Sequence, residues 1–278
     1  HGDSGRIPKP DARDDHGARG RATGASMSTI SRRKLITSGI AATAGVSGLV
    51  VAAKLAKRYG LIPPDSGGIY GPGETLTYAA QRLLTRHSMA REFSASQVSK
   101  KPFANEVAPL GEEFQRLQQS AFAEWRLTVD GLVTRPAAFS LAELKSFPRR
   151  SHITMIQCEE GWSYIAEWSG VPLSHILGLA GALPEVRYVV YRSFQPDWWE
   201  SMDMADALHP QTLLTVGMNG GELPVAFGGP VRMRVTRQLG YKSLKYITRL
   251  TMTDNVKQFG KGLGSAEPEF GYSWYAGI

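Results

Sequence analysis

Two groups of residues in this chain have the types and spacing to do chemistry. The first is Gln157-Cys158-Glu159-Glu160-Gly161-Trp162-Ser163, which sets the only cysteine of the sequence beside two carboxylates and an indole. A single cysteine cannot close an intrachain disulfide. Cys158 is therefore either a small buried filler or, as a thiolate, a metal ligand or a nucleophile. The second group is Gly228-Gly229-Pro230-Val231-Arg232 followed by Leu239-Gly240-Tyr241-Lys242-Ser243-Leu244-Lys245. Its glycines let backbone approach a ligand, Arg232 offers a fork of donors, and Ser243 and Lys245 add a hydroxyl and a point charge. That set suits a phosphate, although a solvated turn has a similar composition. Trp162, Trp199 and Trp274 are candidates for the wall of a pocket, or for the core.

Several familiar sites are missing. No G-x-G-x-x-G follows a strand pattern, and neither a phosphate-binding G-x-x-x-x-G-K-[ST] nor a G-x-S-x-G elbow occurs. The six histidines lack the i, i+4 pairing and cysteine partners that zinc requires, and there is no C-x-x-C-H for an attached haem. His152, His175 and His209 read as structural or surface residues. Two rivals to a metal site stay open: Cys158 as a nucleophile with His152 or His175 as its base, and a binding protein without a cofactor.

The elements that must carry these residues alternate strands with short helices. Trp125 to Gly131 alternates apolar and polar side chains and ends in an Asp-Gly turn. Ser140-Leu-Ala-Glu143 is a capping box for a short helix stopped by Pro148. His152 to Cys158 alternates again, so Cys158 is expected at a strand end before a turn at Gly161. Pro172 suits the first turn of a helix from Leu173 to Leu179 that Gly181 ends. Arg187 to Arg192 reads as a strand, and Asp203 to Asp206 as the capped start of a helix ending at Pro210. Leu213–Met218 and Leu223–Phe227 flank Asn219-Gly220, a strong hairpin signal. Pro230–Thr236 and Tyr246–Thr253 alternate once more. The expected class is α+β, β-rich, without internal repeats.

Taken in order, these segments resemble the sulfite oxidase family of molybdopterin enzymes, and within it the branch of the periplasmic methionine-sulfoxide reductase catalytic subunit. The resemblance runs from about Phe122 to Ile278. It rests on the strand-borne Cys158 before E-E-G-W-S, on G-V-P-L-S-H-I-L, and on A-D-A-L-H-P-Q-T-L-L-T-V-G-M-N-G-G-E-L-P. It continues through G-G-P-V-R, G-Y-K-S-L-K-Y and the terminal G-Y-S-W-Y-A-G-I. The resemblance implies a mixed, β-rich molybdopterin-binding fold and a molybdenum-molybdopterin cofactor. It implies Cys158 as metal ligand and catalytic residue, with Arg232 and the turn Ser243-Leu244-Lys245 on the pterin phosphate. Ser193 and Asn105 match two further cofactor contacts. A soft thiolate is the ligand type that such a metal favours beside sulfur donors.

Departures from the pattern bear on the substrate. Sulfite oxidases proper carry basic residues after the cysteine, whereas Glu159 and Glu160 stand here. The expected reaction is two-electron oxygen-atom transfer on an S-oxide or N-oxide, small or protein-borne, rather than sulfite oxidation. Phe227 occupies a position where relatives have His or Asn. The chain shows no haem-attachment pattern, so a separate redox partner, a membrane haem protein or a cytochrome, is expected.

The formal charge of +7 would suggest nucleic acid if it were spread over the fold. Residues 1–60 hold 11 Lys+Arg against 4 Asp+Glu, and the rest balances at 21 and 21. A nucleic-acid partner is therefore not expected. Ser31-Arg32-Arg33-Lys34 precedes Leu35 to Ala53, 19 residues without a charge. This is the pattern of a twin-arginine export signal, implying a periplasmic protein that an uncleaved signal could tether to the inner membrane. The expected organisation is an upstream extension at 1–26, the signal at 27–60, an irregular arm at 61–121 and the molybdopterin-binding oxidoreductase domain at 122–278.

Overall fold

The computed structural model describes residues 54, 56, 57, 60–68, 70–105, 108, 109 and 111–278. Arg32-Arg33, the uncharged run after them and the extension 1–26 lie outside the described residues. Among the described residues no helix is long and apolar enough to cross a membrane.

Two five-stranded sheets carry the fold. One has the order β2-β1-β10-β5-β6, from β1 (Arg126–Gly131), β2 (Ala137–Ser140), β5 (Tyr188–Ser193), β6 (Trp199–Asp203) and β10 (Ile247–Thr253). Only β1 and β10 run parallel. The other has the order β3-β4-β7-β8, from β3 (Arg150–Gln157), β4 (Ser163–Pro172), β7 (Leu213–Met218) and β8 (Gly221–Glu222), with β9 (Arg232–Arg234) also paired to β7. One apolar core joins inward residues of both sheets, such as Leu127, Val189 and Leu250 with Val171, Leu214 and Met233. Leu173, Ile176 and Leu177 of α4 (Leu173–Ala180) complete it.

Local chemistry explains most boundaries. Ser140 accepts from the Glu143 amide at the head of α3 (Leu141–Ser146), while the Glu143 carboxylate takes the Ser140 amide, a pairing worth about 0.5–2 kcal/mol. Asp203 caps α5 (Met204–Ala207) from one side only, its carboxylate accepting from the Asp206 amide at 3.0 Å. Gly181 closes α4 in the left-handed region. Pro172 is the last residue of β4 and precedes α4, rather than lying in the first helical turn.

The hairpin differs from expectation in its second arm. Asn219 and Gly220 take positive φ and turn the chain as anticipated. The returning strand then lasts only two residues, because Pro224 has no N–H for the ladder and Val225–Phe227 coils into a 3₁₀ turn. The segment 61–121 is partly helical where it is described. It holds α1 (Gly71–Leu84), which buries Tyr78 and Arg82, and α2 (Glu112–Gln119), which buries Phe114 and Leu117.

Candidate active site

The β3–β4 hairpin sets the cysteine. Its last pair is Gln157 with Ser163, so residues 158–162 form the connecting loop. The Cys158 amide donates to the Trp162 carbonyl and the Gly161 amide to the Cys158 carbonyl, at 2.9 and 3.1 Å. Gly161 takes φ +93° there. The turn around Gly240 packs against this loop so closely that a Cβ on Gly240 would lie 3.1 Å from the Gln157 carbonyl oxygen and 3.3 Å from Cys158 Cα. Glycine thus brings the second group of residues against the first.

A cavity of about 180 Å³ opens where they meet, lined by Cys158, Glu159, Glu160, Trp162, Arg232 and Ser243–Lys245, among others. Leu244 and Asn105 also belong to its wall. Ser193 does not. It ends β5, accepts from the Gln195 amide and lines a separate surface depression, while Gln195 itself reaches both. Phe227 packs on Tyr164 and contributes only its carbonyl, which accepts from Arg232 at 2.8 Å. Of the three tryptophans only Trp162 lines the cavity. Trp199 packs with Val190, Val256 and Phe259, and Trp274 with Tyr78 and Tyr275. Trp198, the residue just before β6, takes the place expected of Trp199. Gly228 and Gly229 serve packing within the chain: a Cβ on Gly228, at φ +107°, would sit 2.9 Å from Lys245 Cγ and 3.0 Å from Arg232 Cβ.

The cavity wall carries charges of both signs. Cys158 Sγ lies 3.3 Å from Glu159 and 3.7 Å from Glu160 carboxylate oxygens, and Trp162 Nε1 donates to Glu160 at 2.7 Å. Burial pushes the Cys158 thiol up to about 12, and the hydrogen bond and charge of Glu159 add to it. Glu200 and Glu267 stand in the same wall. Burial raises Glu200 to about 7 although Lys242 Nζ lies 2.6 Å away, and raises Glu267 to about 6 with help from the charge of Glu159. Arg232 and Lys245 are cations of the same wall. Arg232 is buried, burial lowers its pKa although the neighbouring Tyr164 hydroxyl works the other way, and it donates to the Phe227 and Ser243 carbonyls. Lys245 Nζ donates to the Asn105 and Ala226 carbonyls.

A nucleophilic Cys158 has no support in this geometry. No histidine lines the cavity. His152 is held by Glu92 at 2.9 Å and His175 packs on Phe147. A thiol pushed upward is also a poor nucleophile.

The model of the oxidoreductase molybdopterin binding domain matches residues 115–259, just over half of the chain. The chain belongs to this family. It is an oxidoreductase domain whose cofactor is molybdenum-molybdopterin. It is 41% identical over 155 residues to the putative protein-methionine-sulfoxide reductase subunit YedZ1 of Azospira oryzae, covering 56% of each. It is 34% identical over 145 residues to the protein-methionine-sulfoxide reductase catalytic subunit MsrP of Ralstonia nicotianae, covering 47% of this chain and 44% of that one. The chain thus spans about half the length of the curated relatives it matches. The solved sulfane dehydrogenase SoxCD of Paracoccus pantotrophus is 22% identical with a TM-score of 0.47, covering 61% of this chain and 46% of that chain.

The cavity fits the family's cofactor in its donor set. A buried guanidinium without a carboxylate partner among the described residues suits a phosphate, and a thiol in the same wall suits a soft metal. Sequence reasoning missed Gln195, Trp198, Glu200 and Glu267 in the wall. Glu200 lies in W-W-E-S-M, and a charge in a strand whose five residues are all buried was the signal available.

Proposed function

We propose that this domain is an exported catalytic subunit that reduces S-oxides, with Cys158 as the molybdenum ligand and Arg232, Ser243, Leu244 and Lys245 holding the pterin phosphate. Asn105 closes the wall beside Lys245, and Ser193 stays outside. When bound, the cofactor supplies the two-electron chemistry that takes an oxygen atom from the substrate. The protein's own residues orient that cofactor and choose what reaches it.

The observation that carries the substrate reading is the pair of carboxylates beside the cysteine. A unit negative charge about 4 Å from another costs on the order of 4 kcal/mol at an effective dielectric constant near 20. Glu159 and Glu160 therefore oppose an oxyanion such as sulfite and leave a neutral, dipolar S-oxide unopposed. The names of both curated relatives, methionine-sulfoxide reductase subunits, point to the same class of substrate. Electrons are supplied by a separate haem-bearing partner.

Purified protein should contain about one molybdenum per chain and, with an artificial electron donor, turn over S-oxides faster than it oxidises sulfite. Cys158→Ser should abolish that turnover and keep most of the molybdopterin, because the phosphate end is untouched. Faster sulfite turnover, or a fully active Cys158→Ser variant, would overturn the assignment. Export rests on Arg32-Arg33 before the uncharged run. Changing both to Lys should strand the protein in the cytoplasm, and unchanged export would refute the twin-arginine route.

A further inference from the structure

Arg234 belongs to neither the cavity wall nor any ion pair among the described residues. It follows Arg232 by two on β9, so both side chains leave the same face of the strand. Their guanidinium carbons lie 5.6 and 5.1 Å from the Trp168 ring centre. Arg234 is 1% exposed, and burial together with the neighbouring charge of Arg232 pulls it down to about 9. Two adjacent buried cations with no carboxylate are costly unless an anion joins them.

The partners of Arg234 show how it reaches that anion. Nη2 donates to the Met155 carbonyl at 2.6 Å and to Thr154 Oγ1 at 3.3 Å, fixing the guanidinium against β3. Nη1 donates to Ser243 Oγ at 3.2 Å, and the Val235 amide donates to the same oxygen at 3.1 Å. A hydroxyl has two acceptor lone pairs and one proton. Both lone pairs of Ser243 are thus taken. Its backbone is committed too, the amide to the Gly240 carbonyl and the carbonyl to Arg232. The hydroxyl proton is what Ser243 has left to offer, and the residue lines the cavity.

We propose that Arg234 is a positioning residue for the cofactor's phosphate: it fixes Ser243 as an obligate hydrogen-bond donor and adds a second buried positive charge behind Arg232. A site made only of donors selects a fully ionised phosphate monoester, which has acceptors alone to present. The inference rests on the proposed placement of the phosphate at Arg232, Ser243 and Lys245.

The test compares molybdopterin content and melting temperature, with and without cofactor, for Arg234→Met, Arg234→Lys, Ser243→Ala, Arg234→Met/Ser243→Ala and Arg232→Ala. Apo-protein comes from a host unable to make molybdopterin. Arg234→Met is expected to weaken cofactor binding roughly tenfold or more and to shrink the melting gap between loaded and empty protein. Arg234→Lys, which keeps the charge, should recover part of that gap. The double variant should be hardly worse than the more affected single one, because both changes act on one hydroxyl.

An Arg234 that only supports the fold would lower both melting temperatures together, leave the gap at its wild-type width and add independently to Ser243→Ala. That result overturns the proposal. If Arg234→Met does not fold, Arg234→Lys decides alone: a narrowed gap supports the role and an unchanged one removes it. Full cofactor content in Arg232→Ala would overturn the phosphate placement itself, and this inference with it. Loss in Arg232→Ala with an unchanged gap in the Arg234 variants would overturn this inference only.

Discussion

Among the described residues, four buried arginines mark out two regions that treat the same charge differently. Arg82 of α1 and Arg237 after β9 close on carboxylates: Arg82 reaches Asp203 and Asp206 at 2.6 and 2.7 Å, Arg237 pairs with the other oxygen of Asp206, and Gln238 donates to Asp206 at 2.6 Å. Burial would raise Asp206, yet the two guanidiniums outweigh it and hold its carboxyl below the ordinary range. Arg232 and Arg234, a few residues before Arg237, meet carbonyls, hydroxyls and the Trp168 ring, with no carboxylate among the described residues. The first region cancels its charge within the fold and so clamps α1 to α5. The second keeps a positive field, and the cavity beside it is where an anion can neutralise it.

The largest way to break that contrast is to unpair the closed region. Asp206→Asn leaves two buried guanidiniums short of their main counter-ion, and losing one partner of a buried pair costs about 3–5 kcal/mol. At roughly 2–4 °C per kcal/mol for a domain of this size, the melting temperature should fall by on the order of 10 °C. Molybdopterin content of the protein that stays folded should be unchanged. A variant that keeps its melting temperature but loses cofactor would show that the two regions are not separate.

The same contrast explains what the sequence disclosed. The capping box at Ser140, the Asn219-Gly220 turn and the strand ending at Gln157 follow from local chemistry, so they are legible without the fold. β4 and β6 were missed as strands, although Tyr164, Ala166 and Trp168 alternate inward along β4. Gly170, whose Cβ would lie 2.1 Å from the Leu214 carbonyl oxygen, marks a close approach that only the pairing with β7 creates. In the site, Cys158, Arg232 and Lys245 stood out by type and order. Where β6 begins did not, which is why Trp199 was named where Trp198, just before that strand, lines the wall. Arg234 could not be told from Arg237 either, since only long-range packing decides which arginine meets a carboxylate.

Glu200 and Lys242 form an intermediate case, a buried ion pair whose carboxylate stands in the cavity wall and whose lysine lies behind it. Burial lifts the Glu200 carboxyl from 4.5 to about 7, so the folded protein holds a proton there that the unfolded chain has released. Its contribution to stability is full below pH 4.5, declines as pH rises toward 7 and is flat above. The loss is on the order of 3 kcal/mol at about 1.36 kcal/mol per pH unit. Glu267 and Glu74 slope the same way, so the measurement is the difference between wild type and Glu200→Gln. That difference should move in favour of the variant between pH 4.5 and 7 and then stop. A difference independent of pH would place Glu200 among the fully compensated charges of the Asp206 region.

The smallest expected change in free energy is the one that most sharpens the contrast. Arg232→Ala removes charge-assisted hydrogen bonds worth about 1.5–3 kcal/mol each, which is roughly 10- to 150-fold in cofactor affinity. It also removes a buried charge that has no carboxylate partner among the described residues, and that relief offsets the two carbonyls left without their donor. The empty protein should therefore melt within a few degrees of wild type, the reverse of Asp206→Asn. Turnover per bound molybdenum should stay near normal, because Cys158 and the carboxylates around it are untouched. If Arg232→Ala instead destabilises the empty protein as much as Asp206→Asn does, its charge is compensated inside the fold, and the open region is no different from the closed one.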